Sequence, residues 1–240
     1  MKGERLPEVW LLRVPPYSGL PPGLLDRPEL DDRERRRAAS FLRPRDAALY
    51  VSAHLALRHV LGTRLGVPAG DVRLTRAPCP GCGGPHGRPV VEGSVPAVRF
   101  SLSHSEGMVL VAVAEATVGV DVQRLPGVGT VDACLPSLHP AERAELAREP
   151  AGTLCAAFGQ LWTRKEAYLK GLGTGLSRSP SLDYLGAHVP RRPDGWTVTD
   201  LGCGPHHRAA VALRGAAPAV LPVRRLALRR LFDDSTADLS

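Results

Sequence analysis

The chain has 240 residues, of which 43% are hydrophobic, and its 31 Lys and Arg against 24 Asp and Glu give a formal net charge of +7. This composition excludes a disordered tail or a fibre, and the length suits one large domain or two of about 120 residues. No stretch reaches the roughly 20 apolar residues of a membrane span, and the N-terminus lacks the pattern of a signal peptide. We therefore expect a soluble protein of the cytoplasm.

The first predicted elements are a strand, a helical region and a group of strands. An apolar run predicts a strand over 8–14, and apolar spacing predicts helix within 28–65. Residues 78–89 are mostly Gly and Pro and predict an irregular loop. Three further strands are predicted at 98–104, 108–114 and 117–123. We expect these three to form an antiparallel meander.

The second part of the chain repeats the order of helix and then strands. Helices are predicted near 140–149 and 153–172, and strands at 196–201 and 207–213. The repeated order predicts an α+β fold of two similar halves, 1–118 and 119–240. We expect the tail from residue 233 to be frayed.

Two segments contain charged residues that need a partner. Asp121 and Gln123 project to one face of an apolar strand, where a carboxylate needs a metal, an Arg or backbone N–H groups. A strand-end Asp that bonds a neighbouring turn is the simpler alternative. On the second segment, Glu166 and Lys170 have the spacing of an ordinary helix-surface ion pair.

Lysine is rare in this chain, which has three Lys and 28 Arg. Two of the three, Lys165 and Lys170, lie five residues apart. A solvated ion pair would be served equally well by Arg, whereas Lys is a compact charge that can approach a phosphoryl oxygen. The pair therefore indicates a site that requires Lys itself.

Four segments, in order, closely resemble the motifs of Sfp-type 4′-phosphopantetheinyl transferases of the W-x-x-KEA group. They are Gly87-Arg-Pro89, Phe100-Ser-Leu-Ser-His-Ser105, Gly119-Val-Asp-Val122 and Trp162-Thr-Arg-Lys-Glu-Ala-Tyr-Leu-Lys170. Their order and spacing match those of the family over residues 87–170. No single segment would suffice, but the four together make coincidence improbable.

The resemblance implies two α+β halves with coenzyme A and Mg²⁺ bound in the cleft between them. It implies a Mg²⁺-dependent enzyme that moves phosphopantetheine from coenzyme A to a serine of an apo acyl or peptidyl carrier protein, releasing 3′,5′-ADP. Such carriers belong to polyketide synthases and nonribosomal peptide synthetases. We expect a monomer with neither nucleic acid nor a membrane as a partner.

The resemblance also implies roles for individual residues. Asp121 and Glu166 are the expected Mg²⁺ carboxylates, and Gln123 occupies a third metal position where many members have Glu. Lys165 and Lys170 are expected to face the pyrophosphate of coenzyme A. Glu166, or a water on the metal, would accept the serine proton.

Further residues are implied to bind coenzyme A or to lie near the reaction. The expected coenzyme A contacts are Ser103 and His104 at phosphate groups, and Gly87, Arg88 and Pro89 at the nucleotide end. Glu142 matches an acidic position near the active site. Arg37 or Arg43 would replace an Arg that many members carry in the first helix.

Two other functions stay open. One is a carrier-protein-binding module with impaired catalysis, which the change to Gln123 would favour. The other is a basic nucleic-acid-binding protein with a zinc knuckle at Cys79-x-x-Cys82 and His86, which the basic segments 33–45 and 224–230 would favour.

Overall fold

A computed structural model describes residues 6–85, 87–93, 98–188, 192–218 and 221–232, and of Leu176 only the backbone. The strands are β1 (Glu8–Arg13), β2 (Leu74–Arg76), β3 (Pro89–Val91), β4 (Arg99–Ser105), β5 (Met108–Ala114), β6 (Val118–Arg124), β7 (Trp196–Leu201), β8 (His207–Arg214) and β9 (Val223–Leu226). The helices are α1 (Asp32–Ala39), α2 (Pro44–Leu65), α3 (Val128–Cys134), α4 (Pro140–Leu146) and α5 (Ala151–Leu172). The predicted α+β class is confirmed. Within the described residues, every helix is too short or too polar to cross a bilayer.

Two sheets form the centre of the fold. The N-terminal sheet has the strand order β4-β5-β1-β9, and the C-terminal sheet has the order β6-β8-β7. The two long helices cover the outer faces, since α2 packs on β1 and β5, and α5 packs on β6 and β8. The inner faces enclose a shared core that includes Val9, Leu110, Val120 and Val211. The order of layers is therefore helix, sheet, sheet, helix.

Local sequence explains where the helices begin and end. Asp31 and Glu34 form a capping box at the start of α1, which satisfies backbone N–H groups that have no partner within the helix. The helical region predicted over 28–65 is divided at residues 40–43, because Pro44 begins a new helix. Gly66 then ends α2 in the left-handed conformation, with φ of 73°.

The predicted antiparallel meander is wrong at its third strand. Strand β6 follows β5 in the chain but pairs with β8. Both edges of β5 are already occupied, by β4 on one side and by β1 on the other. Strand β6 must therefore start a second sheet.

The predicted division at residue 118 also needs a correction near its C-terminal end. Strand β9 pairs in parallel with β1, so it completes the N-terminal sheet although it lies in the predicted second half. The open edge of β1 accepts it because β5 occupies only the other edge. Residues 233–240, which include the tail predicted to fray, lie outside the described residues.

Candidate active site

Strand β6 and helix α5 approach each other closely at the site. A Cβ atom on Gly119 would lie 2.0 Å from the carbonyl oxygen of Ala167 and 2.5 Å from the amide nitrogen of Gly171. Only glycine allows the helix to pack this tightly on the strand. Gly119, Asp121 and Gln123 share one face of β6 because side chains alternate along a strand. The contact at Gly119 shows that this face is turned toward α5.

Asp121 is fully buried, at 0% exposure, and only one of its two carboxylate oxygens has partners. The hydroxyl of Ser103 donates to Oδ1 at 2.8 Å, and Nζ of Lys170 donates to the same atom at 2.7 Å. Oδ2 is buried without a hydrogen-bond partner. The alternative of a simple Glu166–Lys170 surface pair therefore does not describe Lys170, whose partner is Asp121.

Glu166 brings a second carboxylate to the same place. Burial raises the pKa of Glu166, the negative charge of Asp121 raises it further, and Lys170 lowers it in part. A buried Glu166 whose charged form is disfavoured, beside a second carboxylate with a buried and unpaired oxygen, forms a site suited to a cation.

The residues present fit a Mg²⁺ ion. In the described part of the chain, no group of three or more His, Cys, Asp or Glu is placed to hold a metal alone. Magnesium usually binds to one or two carboxylates and completes its shell with waters and substrate phosphates. Asp121 and Glu166 would supply the carboxylates, and the amide oxygen of Gln123 is available on the same face of β6.

A cavity of about 920 Å³ opens beside this cluster. Its basic lining comes from both halves of the chain and consists of Arg33, Arg36, Arg37, Arg76, Arg88 and Lys170. Gly87 and Pro89 line it as well. Arg88 joins the two halves, because its Nη1 donates to the carbonyl of Gly171 at 3.1 Å. The cavity therefore suits a ligand with several negative charges.

An aromatic pair forms another part of the cavity wall. The rings of Tyr50 and His54 have centroids 4.2 Å apart, and both residues line the cavity. His54 Nδ1 lies 2.7 Å from an oxygen of Glu34. Burial, together with the charges of Glu34 and Asp31, raises the pKa of Tyr50 to about 12. Tyr50 thus stays a neutral phenol beside the arginines.

Ser103, which was predicted to hold a phosphate group, instead connects the two sheets, as do Ser101 and Ser105 on the same strand. The hydroxyl oxygens of Ser101, Ser103 and Ser105 on β4 each accept a hydrogen bond from a backbone N–H of β6, at Val120, Val122 and Arg124 respectively. Ser103 also donates its only hydroxyl hydrogen to Asp121. Ser103 has no hydrogen left for a phosphate, which contradicts its predicted role.

Lys165 and Glu142 are also placed differently from the prediction. Nζ of Lys165 lies 2.7 Å from each of three oxygens, those of the Glu142 carboxylate, the Pro180 carbonyl and the Asp183 carbonyl. All three N–H donors of the ammonium are therefore used. The Lys165 side chain is 2% exposed and that of Glu142 is 0% exposed. The structure contradicts the prediction that Lys165 faces a pyrophosphate.

Glu142 is equally enclosed. One carboxylate oxygen accepts the backbone N–H of Leu185 at 2.6 Å, and the other accepts that of His139 at 3.0 Å and the Lys165 ammonium. It joins α4, α5 and the segment around residue 185. Glu142 is therefore a structural group rather than the predicted catalytic one.

His104, Arg37 and Arg43, three further residues predicted to bind coenzyme A, differ from one another in their surroundings. Burial and the charges of His54 and Lys170 lower the pKa of His104 to about 4, so its ring carries no positive charge for a phosphate near pH 7. Arg37 lines the cavity. Arg43 is exposed at the start of α2 and is absent from the cavity lining among the described residues.

The proposed zinc knuckle stays a prediction. Cys79 is buried and lines the cavity, whereas Cys82 is exposed. Backbone N–H groups of Gly81 and Cys82 lower the pKa of the Cys79 thiol. His86 lies outside the described residues.

Comparison with known proteins identifies the family. The model of the 4′-phosphopantetheinyl transferase superfamily matches residues 117–213, which include β6, α5 and β8. The 4′-phosphopantetheinyl transferase HetI of Nostoc sp. is 27% identical over 227 residues, covering 87% of this chain and 88% of HetI. The 4′-phosphopantetheinyl transferase psf-1 of Bacillus pumilus is 28% identical over 197 residues, covering 78% of this chain and 80% of psf-1.

The chain belongs to the 4′-phosphopantetheinyl transferase superfamily. A human relative, L-aminoadipate-semialdehyde dehydrogenase-phosphopantetheinyl transferase, is 27% identical over 213 residues, covering 75% of this chain and 66% of the relative. These similarities favour a phosphopantetheinyl transferase over the carrier-binding and nucleic-acid-binding alternatives.

Some residues that shape this transferase's cavity were missed by sequence reasoning. They are Arg33, Arg36, Tyr50, His54 and Arg76. In a chain with 28 Arg, an individual Arg carries little information. The aromatic pair had a better signal, since Tyr50 and His54 are four residues apart on a helix and therefore share a face.

Proposed function

We propose that this chain transfers 4′-phosphopantetheine from coenzyme A to a serine of an apo carrier protein, with Mg²⁺ held by Asp121, Glu166 and Gln123. One observation carries the proposal: Oδ2 of Asp121 is buried and unpaired, while Oδ1 of the same carboxylate binds Lys170, which lines a basic cavity. A pyrophosphate that entered beside Lys170 would complete the ligands of a cation on that oxygen.

The cavity supports coenzyme A as the donor. Coenzyme A carries a pyrophosphate and a separate phosphate on its ribose, and the arginines of α1 together with Arg76 and Arg88 offset such charges. The rings of Tyr50 and His54, inclined at 37° to each other, provide aromatic surface for a ring system. Lys170 lies where the cavity meets Asp121, so its ammonium can move from the carboxylate to a phosphate oxygen.

In the transfer, the serine oxygen of the carrier forms a bond to the phosphorus that bears pantetheine. The bond from that phosphorus to the oxygen shared with 3′,5′-ADP breaks, and the electron pair leaves with 3′,5′-ADP. Glu166, or a water on the metal, would accept the serine proton. Bound Mg²⁺ would supply neutralisation of charge on the pyrophosphate.

The acceptor in this proposal is an acyl or peptidyl carrier domain of a polyketide synthase or nonribosomal peptide synthetase. The transferase would act as a monomer in the cytoplasm, without nucleic acid. The formal charge of +7 supports an acidic protein partner.

Intact-mass measurement tests the proposal. The protein is incubated with coenzyme A, Mg²⁺ and several apo carrier proteins, and each carrier is weighed by mass spectrometry. We expect the mass of one phosphopantetheine to be added only when the enzyme, coenzyme A and Mg²⁺ are all present. Carriers that stay unmodified under all conditions would contradict the function.

A further inference from the structure

The hydrogen-bonding capacity of Ser103 is fully used at the Asp121 carboxylate. Its hydroxyl hydrogen goes to Asp121 Oδ1 at 2.8 Å, and its oxygen accepts the N–H of Val122 at 3.2 Å. A serine hydroxyl has a single hydrogen to donate. The side chain is buried between β4 and β6, so both bonds are shielded from water.

We propose that Ser103 is a positioning residue for the divalent cation, because it fixes the Asp121 carboxylate so that Oδ2 alone is available as a ligand. This inference rests on the proposed function for the identity of the cation. It gives Ser103 a role toward the metal in place of a phosphate contact.

The carboxylate is held at one end by two donors. Ser103 and Lys170 both bind Oδ1, and the strand pairing of β6 with β8 fixes the backbone of Asp121. Oδ2 is buried and has no partner. Lys170 is 32% exposed and lines the cavity, so it can leave Asp121 when an anion enters. Ser103 cannot leave, because its oxygen is also bound to Val122.

A rigid ligand loses less entropy when it binds a metal, and residues that orient metal ligands typically contribute 10- to 100-fold in affinity. Removal of the Ser103 hydroxyl would let the carboxylate rotate and share its oxygens between Lys170 and the cation. The predicted effect is a weaker metal site in a correctly folded protein.

Ser101 provides a matched control. It is buried on the same strand, and its hydroxyl accepts the N–H of Val120 at 3.0 Å in the same way that Ser103 accepts that of Val122. The structure gives Ser101 no hydrogen bond to Asp121. Ser101→Ala therefore removes the same kind of contact between the sheets without touching the carboxylate.

The experiment measures binding of Mn²⁺, a paramagnetic substitute for Mg²⁺, to the full chain by electron paramagnetic resonance, with and without coenzyme A. Relative to wild type, we expect Ser103→Ala to weaken Mn²⁺ binding about tenfold or more. Ser101 lines the cavity, so the control is compared without coenzyme A, where Ser101→Ala should change Mn²⁺ binding less than about twofold. Binding of coenzyme A in metal-free buffer with a chelator should be the same for Ser103→Ala and wild type. Ser103→Cys keeps the volume with a poor donor, and it should also weaken Mn²⁺ binding if Ser103→Ala does not fold.

Several results would overturn the inference. The inference is wrong if the Ser103 variants bind Mn²⁺ as tightly as wild type does. It is also wrong if the wild-type protein binds no Mn²⁺ even with coenzyme A. Weaker coenzyme A binding in chelator, with Mn²⁺ affinity unchanged, would return Ser103 to a phosphate contact. If the carriers stay unmodified but the Ser103 effect on Mn²⁺ appears, the transfer function fails and the positioning role stands.

Discussion

Two lysines of α5 each pair with a buried carboxylate from another element, and the two pairs differ in what they leave unbound. Lys165 pairs with Glu142 and Lys170 pairs with Asp121, each at 2.7 Å. In the first pair every donor and acceptor is used within the protein. In the second pair, one buried carboxylate oxygen has no partner and the lysine faces a cavity.

This difference separates a structural ion pair from a functional one. Distance and burial alone do not distinguish them, because both acids are fully buried. A buried carboxylate oxygen without a partner costs more free energy than a buried hydroxyl, so beside a lysine that lines a cavity it favours a ligand that supplies the partner. The Asp121 pair has such an atom and the Glu142 pair does not.

The largest expected effect comes from Glu166→Gln, which tests whether the site around the Lys170–Asp121 pair belongs to the reaction. We expect kcat/KM for carrier modification to fall about 1000-fold, because both a metal ligand and a proton acceptor are lost. The melting temperature should be equal to or above that of wild type, since repulsion from Asp121 disappears. Glu149→Gln, at an exposed carboxylate, is the control and should retain activity. A Glu166→Gln enzyme with more than a tenth of the wild-type rate would contradict the assignment.

The next effect is on stability, at the Lys165–Glu142 pair. Lys165→Met leaves the Glu142 carboxylate buried without a counter-charge, which we expect to cost about 3–5 kcal/mol in the free energy of unfolding. Urea denaturation measures this. The double variant Lys165→Met/Glu142→Leu should recover much of the loss, because no lone charge remains buried. If the double variant is as stable as wild type but its kcat is reduced 100-fold, the Lys165–Glu142 pair has a chemical role.

The smallest effect is the pH dependence of cation binding at Glu166, next to the Lys170–Asp121 pair. The pKa of Glu166 is raised above its ordinary value of 4.5, so protons compete with the cation over a range that extends above pH 4.5. We expect Mn²⁺ affinity in wild type to fall as the pH is lowered through that raised pKa. In Glu166→Gln the affinity should be weaker and flat over this range. The same pH response in both proteins would assign the titration to another group.

In the metal-free protein, the contribution of Glu166 to stability should rise as the pH is lowered, whereas Mn²⁺ affinity falls. Because the folded state holds the Glu166 proton more tightly than the unfolded chain, acidification through the raised pKa favours the fold at this residue. The stability difference between Glu166→Gln and wild type should therefore shrink as the pH falls.

The sequence predicts elements well where a periodic pattern lies in one segment. Strand Trp196–Leu201 has the predicted limits, and α5 begins two residues before its predicted start and ends where predicted. Strand pairing was less predictable, because the partner of β6 depends on which edges of β5 other strands occupy. That information is distributed over the whole chain.

At the site, motifs identify residues but not the direction of each side chain. Lys165 and Lys170 look equivalent in the sequence, yet the backbone of α5 turns one toward Glu142 and the other toward Asp121. Ser103 was likewise assigned to a phosphate from the family motif that contains it. Its position opposite the N–H of Val122 depends on how β4 meets β6, which no local pattern encodes.

The parallel pairing of β9 with β1 has a consequence for how the chain reaches its fold. The strand nearest one end of the described chain is bound to a strand near the other end, so the N-terminal sheet cannot be complete until the C-terminal sheet has been synthesised. Contacts between such distant segments carry a large loop-closure cost and tend to form late. The N-terminal half is not a complete unit alone, and we expect the last strand to couple the folding of the two sheets.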